Sequence, residues 1–179
     1  MKNGSYTSSC ASPVGRLTLA SDGHALTGVW MQGQKYDGAT LQAHTQQREV
    51  PIFTQTRAWL EDYFAGQKPC NHPLLAPEGS PFRKAVWKIL CAIPYGQLTT
   101  YGQIARQLEQ TLGKRVSAQA VGGAVGHNPI SILIPCHRVV GSNGSLTGYA
   151  GGLDRKIWLL RHEGVNLDDL FVPKSGTAL

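Results

Sequence analysis

The stretch TTYGQIARQLEQTLGKRVSAQAVGGAVGHNP, residues 99–129, decides the fold class of the second half of this chain. Its pattern predicts a helix from about residue 99, a turn around Gly113 and a second helix from Ser117 to about Gly126. Two helices on so short a connection outline a helix-turn-helix, and equally an ordinary helical hairpin in a core. The second helix has almost no long donor side chains. Built on Ala118, Ala120, Gly122, Gly123, Ala124 and Gly126, it cannot read major-groove base edges as a sequence-specific repressor does. Each glycine weakens a helix by up to about 1 kcal/mol relative to alanine, so close approach by something else is the expected compensation. Either a neighbouring helix or the narrow minor groove of DNA would supply it.

Upstream, SPFRKAVWKIL (80–90) carries its own start signals: Ser80 as N-cap and Pro81 at the first helical position. Phe82, Val86, Trp87, Ile89 and Leu90 give the apolar face, and the helix should stop before Pro94. The preceding KPCNHPLLAPEGSP (68–81) has the proline-rich composition of a linker, which sets a domain boundary near residue 78. The expected units are residues 1–78 and 79–170, with a flexible tail over 171–179. Within the first, GRLTLASDGHALTGVWM (15–31) reads as a hairpin turning at SDGH. TQTRAWLEDYFAGQ (54–67) reads as an amphipathic helix stopped by Gly66.

Composition narrows the classes. With 179 residues, 41% of them hydrophobic, the chain can bury a core without staples. It has no run of apolar residues long enough for a membrane span and no signal-peptide pattern, so a soluble, cytoplasmic protein is expected. Cys10, Cys70, Cys91 and Cys136 are scattered, which argues for free thiols rather than a disulfide framework or zinc ribbon. Cys10, His24, Cys70 and His72 have no compact ligand spacing, so no metal is expected. Residues 1–80 carry six basic and six acidic side chains, whereas 81–179 carry eleven and five. The excess positive charge therefore lies in the second part, as in a polyanion-binding domain.

Downstream, PISILIPCHRVVG (129–141) reads as a buried apolar strand running into Pro135, Cys136, His137 and Arg138. A cysteine there is, on its own terms, a small buried hydrophobe. Adjacent side chains of an extended segment point to opposite faces, so direct contact between Cys136 and His137 is not expected. If the pair is functional, a water or a turn must relay the proton and a carboxylate should orient the imidazole. Glu163 in WLLRHEG (158–164) is the candidate, its alternative reading being a solvated charge at a helix end.

Taken together, PCHRVV (135–140), preceded by GHNPISILI (126–134) and followed by GSNGSLTGYAGGLDRKIWLLRHEG (141–164), resembles the O6-alkylguanine-DNA alkyltransferases, or methylated-DNA–protein-cysteine methyltransferases. The likeness runs nearly continuously from Pro81 to Gly164, and SPVGRLTL (12–19) and WLEDYFAG (59–66) resemble the family's N-terminal domain more weakly. The resemblance implies an α/β, ribonuclease-H-like N-terminal domain and a mostly α C-terminal domain, with a helix-turn-helix and a short strand carrying the active cysteine. It implies a protein that carries an alkyl group from O6 of guanine, with O4 of thymine as a further candidate, in double-stranded DNA to its own cysteine, once, without cofactor, as a nucleoid-associated monomer.

By the same resemblance Cys136 matches the alkyl acceptor, His137 the base acting through water, Glu163 its orienting carboxylate and Asn128 a supporting asparagine. Tyr101 matches the tyrosine that pushes the target phosphate and protonates the leaving guanine, with Lys156 near it. Val139, Tyr149 and Ala150 match the pocket for the flipped base. Ala118, Gln119, Gly122, Gly123, Lys114, Arg115 and Arg138 fall among the expected DNA- or base-binding residues. One departure stands out: Gln119 replaces the arginine with which most relatives fill the gap left by the flipped base. Gln119 can hydrogen-bond the orphaned partner base but cannot stack a guanidinium. Lys114 or Arg115, in a loop longer than that of common relatives, could compensate. The alternative function is a non-catalytic alkylguanine-sensing protein, whose resembling members lack the acceptor cysteine.

Overall fold

The computed structural model describes residues 4–174, which fall into two compact units. The first comprises the described residues up to Glu78 together with Pro129–Leu133; the second comprises Gly79–Asn128 and those from Ile134 onward. Among the described residues no helix is long and apolar enough to cross a membrane.

In the first unit, strands β1 (Tyr6–Cys10), β2 (Leu17–Ser21) and β3 (Leu26–Met31) form an antiparallel meander, and β4 (Gln46–Gln47) adds in parallel to β1. The sheet order is β3-β2-β1-β4. The hairpin expected over 15–31 is β2–β3, with Leu17 opposite Met31 and Gly23 at φ 99° in its turn. Helix α1 (Pro51–Phe64) begins three residues before its apolar pattern suggests, because Pro51 is preset for the first helical position. It buries Phe53, Trp59, Leu60 and Tyr63 on the face turned to β2 and β3. Gly66, at φ 83°, follows its end.

The second unit holds α2 (Pro81–Cys91), β5 (Thr99–Thr100), α3 (Tyr101–Leu112), α4 (Ala118–Gly126), a 3₁₀ turn (Cys136–Arg138), β6 (Val139–Val140) and α5 (Leu153–His162). Ser80 caps α2 by accepting from the Arg83 amide at 3.3 Å. Buried Trp87 of α2 reaches α4, its Nε1 donating to the Ala124 carbonyl at 2.8 Å. Between α3 and α4, Gly113 takes the left-handed conformation at φ 64°, the Glu109 carboxylate accepts from the Val116 amide at 2.9 Å, and Ser117 caps α4. At the other end of α3, Thr100 and Gln103 form a reciprocal capping box. Strand β5 pairs in parallel with β6, Thr99 beside Val139 and Thr100 beside Val140. The start of α3 is thereby tied to the backbone that follows Cys136.

Two expectations are corrected. The cysteine does not ride on a strand: Cys136 opens the 3₁₀ turn, and the preceding apolar run is folded back on itself. Ile132 sits at φ 72°, rare for a β-branched residue, and Pro135 (φ −80°, ψ 62°) forms an inverse γ-turn in which the Cys136 amide donates to Ile134 at 2.8 Å. These residues are apolar because they are buried on all sides, not because they alternate in a sheet. Phe171, the first residue of the tail expected over 171–179, is paired and not loose. Phe171 bridges Ser145, its carbonyl accepting from Leu146 and its amide donating to Gly144. The remainder of that expectation, 175–179, lies outside the described residues.

The capping box at Thr100 gives a direct test. Thr100→Val keeps the side chain's shape but removes the acceptor for the Gln103 amide, so the urea midpoint should fall by the equivalent of about 1 kcal/mol with an unchanged slope.

Candidate active site

Three successive residues of the 3₁₀ turn, Cys136, His137 and Arg138, are all buried. Asn128, two residues beyond α4, donates from Nδ2 both to the Ile134 carbonyl at 2.8 Å and to the Cys136 sulfur at 3.1 Å. The amide thus fixes the turn and the thiol together. Burial raises the Cys136 pKa above an ordinary thiol, against smaller opposing effects of Asn128, the Lys156 charge and nearby backbone amides. The resting group is a thiol and needs a base.

His137 is wholly buried and bonds through Nε2 to Glu163 Oε1 at 2.6 Å. An ionised carboxylate only accepts, so Nε2 carries the proton and Nδ1 is the basic nitrogen. Nδ1 is buried with no hydrogen-bond partner among the described residues. Burial lowers the His137 pKa; Glu163 opposes this, while Arg138 and Lys156 reinforce it.

Glu163 caps the C-terminal end of α5. Its Oε1 accepts from His137 and from Arg138 NH2 (2.9 Å), and its Oε2 from Arg138 Nε (2.8 Å) and the Gly96 amide (3.0 Å). Burial pushes this carboxyl up, but the hydrogen bonds and charges of His137 and then Arg138 outweigh it and hold Glu163 well below the usual carboxylate range. Arg138, expected among the DNA- and base-binding residues, is thus turned inward. Its third nitrogen donates to the Ile93 carbonyl at 2.6 Å and the Tyr95 ring lies 5.7 Å away.

On the other side of Cys136, Tyr101 opens α3 and its hydroxyl donates to the Thr147 carbonyl at 2.8 Å. Lys156, on α5 and fully buried, donates to the same carbonyl at 3.0 Å and to the Val139 carbonyl at 2.6 Å. Burial lowers Lys156 to about 8, against the pull of Cys136. Burial, then the proximity of Cys136, raises Tyr101, so the phenol holds its proton. Tyr149 is raised well above its ordinary value by the same two causes, which places it in the field of the cysteine; Ala150 follows in the same turn. Gly148, at φ 75°, leaves no room for a side chain: a Cβ there would lie 2.7 Å from the Tyr101 oxygen.

The remaining expected residues lie apart from the cysteine. Ala118, Gln119 and Gly123 are exposed along α4, Gly122 is half-buried beside the Tyr101 ring, and Lys114 and Arg115 are exposed in the turn before it. Among the described residues outside its own helix, a Cβ at Gly123 or Gly126 would meet nothing within 4 Å, so these glycines do not serve packing against them. Sequence reasoning missed the Thr147 carbonyl, the Gly96 amide and the inward Arg138. Main-chain acceptors leave no mark in side-chain identity; only the glycine at 148, beside Thr147, pointed there.

Two family models match the chain: the 6-O-methylguanine DNA methyltransferase ribonuclease-like domain over residues 5–72, and the DNA-binding domain of the same proteins over 81–165. The methylated-DNA–protein-cysteine methyltransferase of Haemophilus influenzae is 44% identical over 156 residues, covering 86% of this chain and 83% of that protein. The protein of the same name from Methanosarcina acetivorans is 43% identical over 162 residues, covering 86% and 94%. The chain belongs to the methylated-DNA–protein-cysteine methyltransferase family. Its two-domain fold is likewise that of a solved member: the crystal structure of Mycobacterium tuberculosis OGT in complex with DNA superposes with a TM-score of 0.76 at 40% identity, covering 88% of this chain and 92% of that one.

A methyltransferase-family cysteine held as a buried thiol should be slow toward reagents that lack a binding site. Peptide mapping after brief iodoacetamide treatment of the folded protein is expected to find exposed Cys70 alkylated first and Cys136 last of the four, the order collapsing on unfolding.

Proposed function

We propose that this protein repairs DNA by moving an alkyl group from O6 of guanine onto the sulfur of Cys136, once per chain. The observation that carries this reading is the buried array Asn128–Cys136 and His137–Glu163 within a family-matched domain. In the proposed step the sulfur attacks the alkyl carbon, the S–C bond forms as the C–O bond breaks, and the thiol proton passes to His137 Nδ1 through a water. Tyr101 protonates the departing guanine and is reprotonated from solvent as His137 releases the thiol proton, so that the two protons balance, and Lys156 supports the site with its charge. Each unit by which a base lowers the effective thiol pKa is worth about 1.4 kcal/mol, which is why a raised thiol beside an oriented imidazole makes sense. The product is a thioether, and no group in the site is suited to cleave it.

We further infer that α3, the 113–117 turn and α4 act as a helix-turn-helix in the minor groove, and that the target nucleotide rotates out of the stack at a cost of a few kcal/mol. The open space beside Gly123 and Gly126 supports this over close packing with another helix of the chain. Gln119, exposed at the start of α4, is the residue proposed to enter the vacated gap, with Lys114 and Arg115 on the backbone. Val139, Tyr149 and Ala150 would line the base pocket, with O4-alkylthymine as a second substrate. The ribonuclease-H-like reading of the first unit is supported by its meander with a parallel edge strand.

Intact mass after incubation with an O6-methylguanine duplex tests the transfer. One methyl group per chain is expected, lost in Cys136→Ala and retained when Cys10, Cys70 or Cys91 is replaced; repeated turnover or labelling elsewhere would refute the reading. The minor-groove docking is tested by Gly123→Ala, in an exposed helix position with room for the methyl. Thermal unfolding should show a gain of about 0.5–1 kcal/mol from the lost chain entropy, while duplex affinity falls. Affinity rising or staying level with stability would contradict a backbone-to-groove contact at this position.

A further inference from the structure

Arg138 has no part in the transfer proposed above, yet it is among the most constrained cations in the described chain. Its fork grips both oxygens of Glu163, and its remaining nitrogen holds the Ile93 carbonyl. Exposure of its side chain is 10% and that of Glu163 is 0%, so the pair is largely shielded from bulk water. The carboxylate it neutralises also receives His137 Nε2. A lone buried carboxylate against an imidazole would do more than orient it: it would draw a second proton onto the ring and form an ion pair. An imidazolium has no lone pair at Nδ1 and cannot take a proton from a thiol.

We infer that Arg138 is a positioning residue that balances the charge of Glu163, so that Glu163 orients His137 while leaving the ring neutral and Nδ1 able to accept the Cys136 proton. This rests on the transfer reading for its consequence, but the arrangement itself is a property of the unreacted protein. The geometry explains why one carboxylate can serve two neighbours. His137 and Arg138 are consecutive in a 3₁₀ turn, and the end of α5 presents Glu163 between them, while the Gly96 amide takes the last position on Oε2. The groups facing His137 are then Glu163 and Lys156 from α5, Arg138 and Cys136 from its own turn, with Tyr95 against Arg138 from the turn after α2. Only Glu163 favours a charged ring; Arg138 and Lys156 oppose it, and burial opposes it most. Removing the Arg138 charge should therefore raise the pH at which His137 takes its second proton.

The test measures His137 in the free protein, by NMR titration of its imidazole, and the pH profile of the transfer rate to an O6-methylguanine duplex. Two neutral variants, Arg138→Met and Arg138→Gln, guard against one of them failing to fold; Arg138→Lys keeps the charge. In the neutral variants the His137 midpoint should rise by one to three pH units, about the range a single near charge gives. The acid limb of the transfer profile should rise with it, so that the rate lost at neutral pH, about tenfold per unit, returns at higher pH. Arg138→Lys should stay within a few tenths of a unit of the wild type in midpoint, whatever its rate. A midpoint that does not move in the neutral variants, or a rate lowered equally at all pH values, would reduce Arg138 to a structural clamp and overturn the inference. Absence of transfer in the wild-type protein would refute the proposed function alone, since the titration reads His137 without substrate.

Discussion

Glu163 is the point on which the second unit converges. A carboxylate with no exposed side-chain surface is tolerable only when its lone pairs are met, and here four donors meet them, one an imidazole, two from a guanidinium and one a main-chain amide. Those donors come from the 3₁₀ turn behind Cys136 and from the turn after α2, while the acceptor comes from the end of α5. Three segments far apart in sequence are thus fixed by one side chain. Burying the pair is not a cheap route to stability: an apolar replacement of the same volume is often as good or better. The charge is better explained by what it does for His137.

Opposite this cluster, a second convergence is built on a main-chain atom. The Thr147 carbonyl receives both the Tyr101 hydroxyl and the Lys156 ammonium, while the Val139 carbonyl holds Lys156 a second time. Lys156 is therefore an internal strut, its ammonium held between two main-chain carbonyls despite its burial. The capping box at Thr100 and the pairing of β5 with β6 set where Tyr101 starts. Local helix chemistry at the entrance of α3 and backbone pairing after the cysteine thus position the same phenol.

How much of this could be read in advance follows from the range over which each signal acts. Pro81 after Ser80, Gly113 after Leu112 and Ser117 before Ala118 are local instructions, and the helices they bound lie where the residues say, α3 starting two residues beyond the expected point. The segment before Cys136 departs from the expected strand because an apolar run of this length looks the same in sequence whether it lies in a central strand or in a fully buried coil. Its conformation depends on Ile132 and Pro135, whose unusual backbone angles tertiary burial imposes. Cys136, His137 and Glu163 were candidates from the residues themselves, Asn128, Tyr101 and Lys156 through likeness to a family, and the structure brings all six together. Arg138 was expected at the DNA. A basic residue in a basic domain carries no mark telling whether its charge answers a phosphate outside or a carboxylate within.

The balance of buried charges suggests why the site suits a reaction performed once. At rest, Arg138 cancels Glu163, His137 is neutral, and Cys136 is a thiol whose ionisation burial opposes. Such a cysteine is protected from adventitious oxidation and alkylation, at the expense of being a poor nucleophile until a substrate brings the alkyl carbon to it. A turning-over enzyme could not easily accept that compromise, because every cycle would repeat the cost of ionising the thiol. A protein proposed to react a single time bears it once, and the uncharged thioether that results sits more easily in this enclosed site than the thiolate from which it forms.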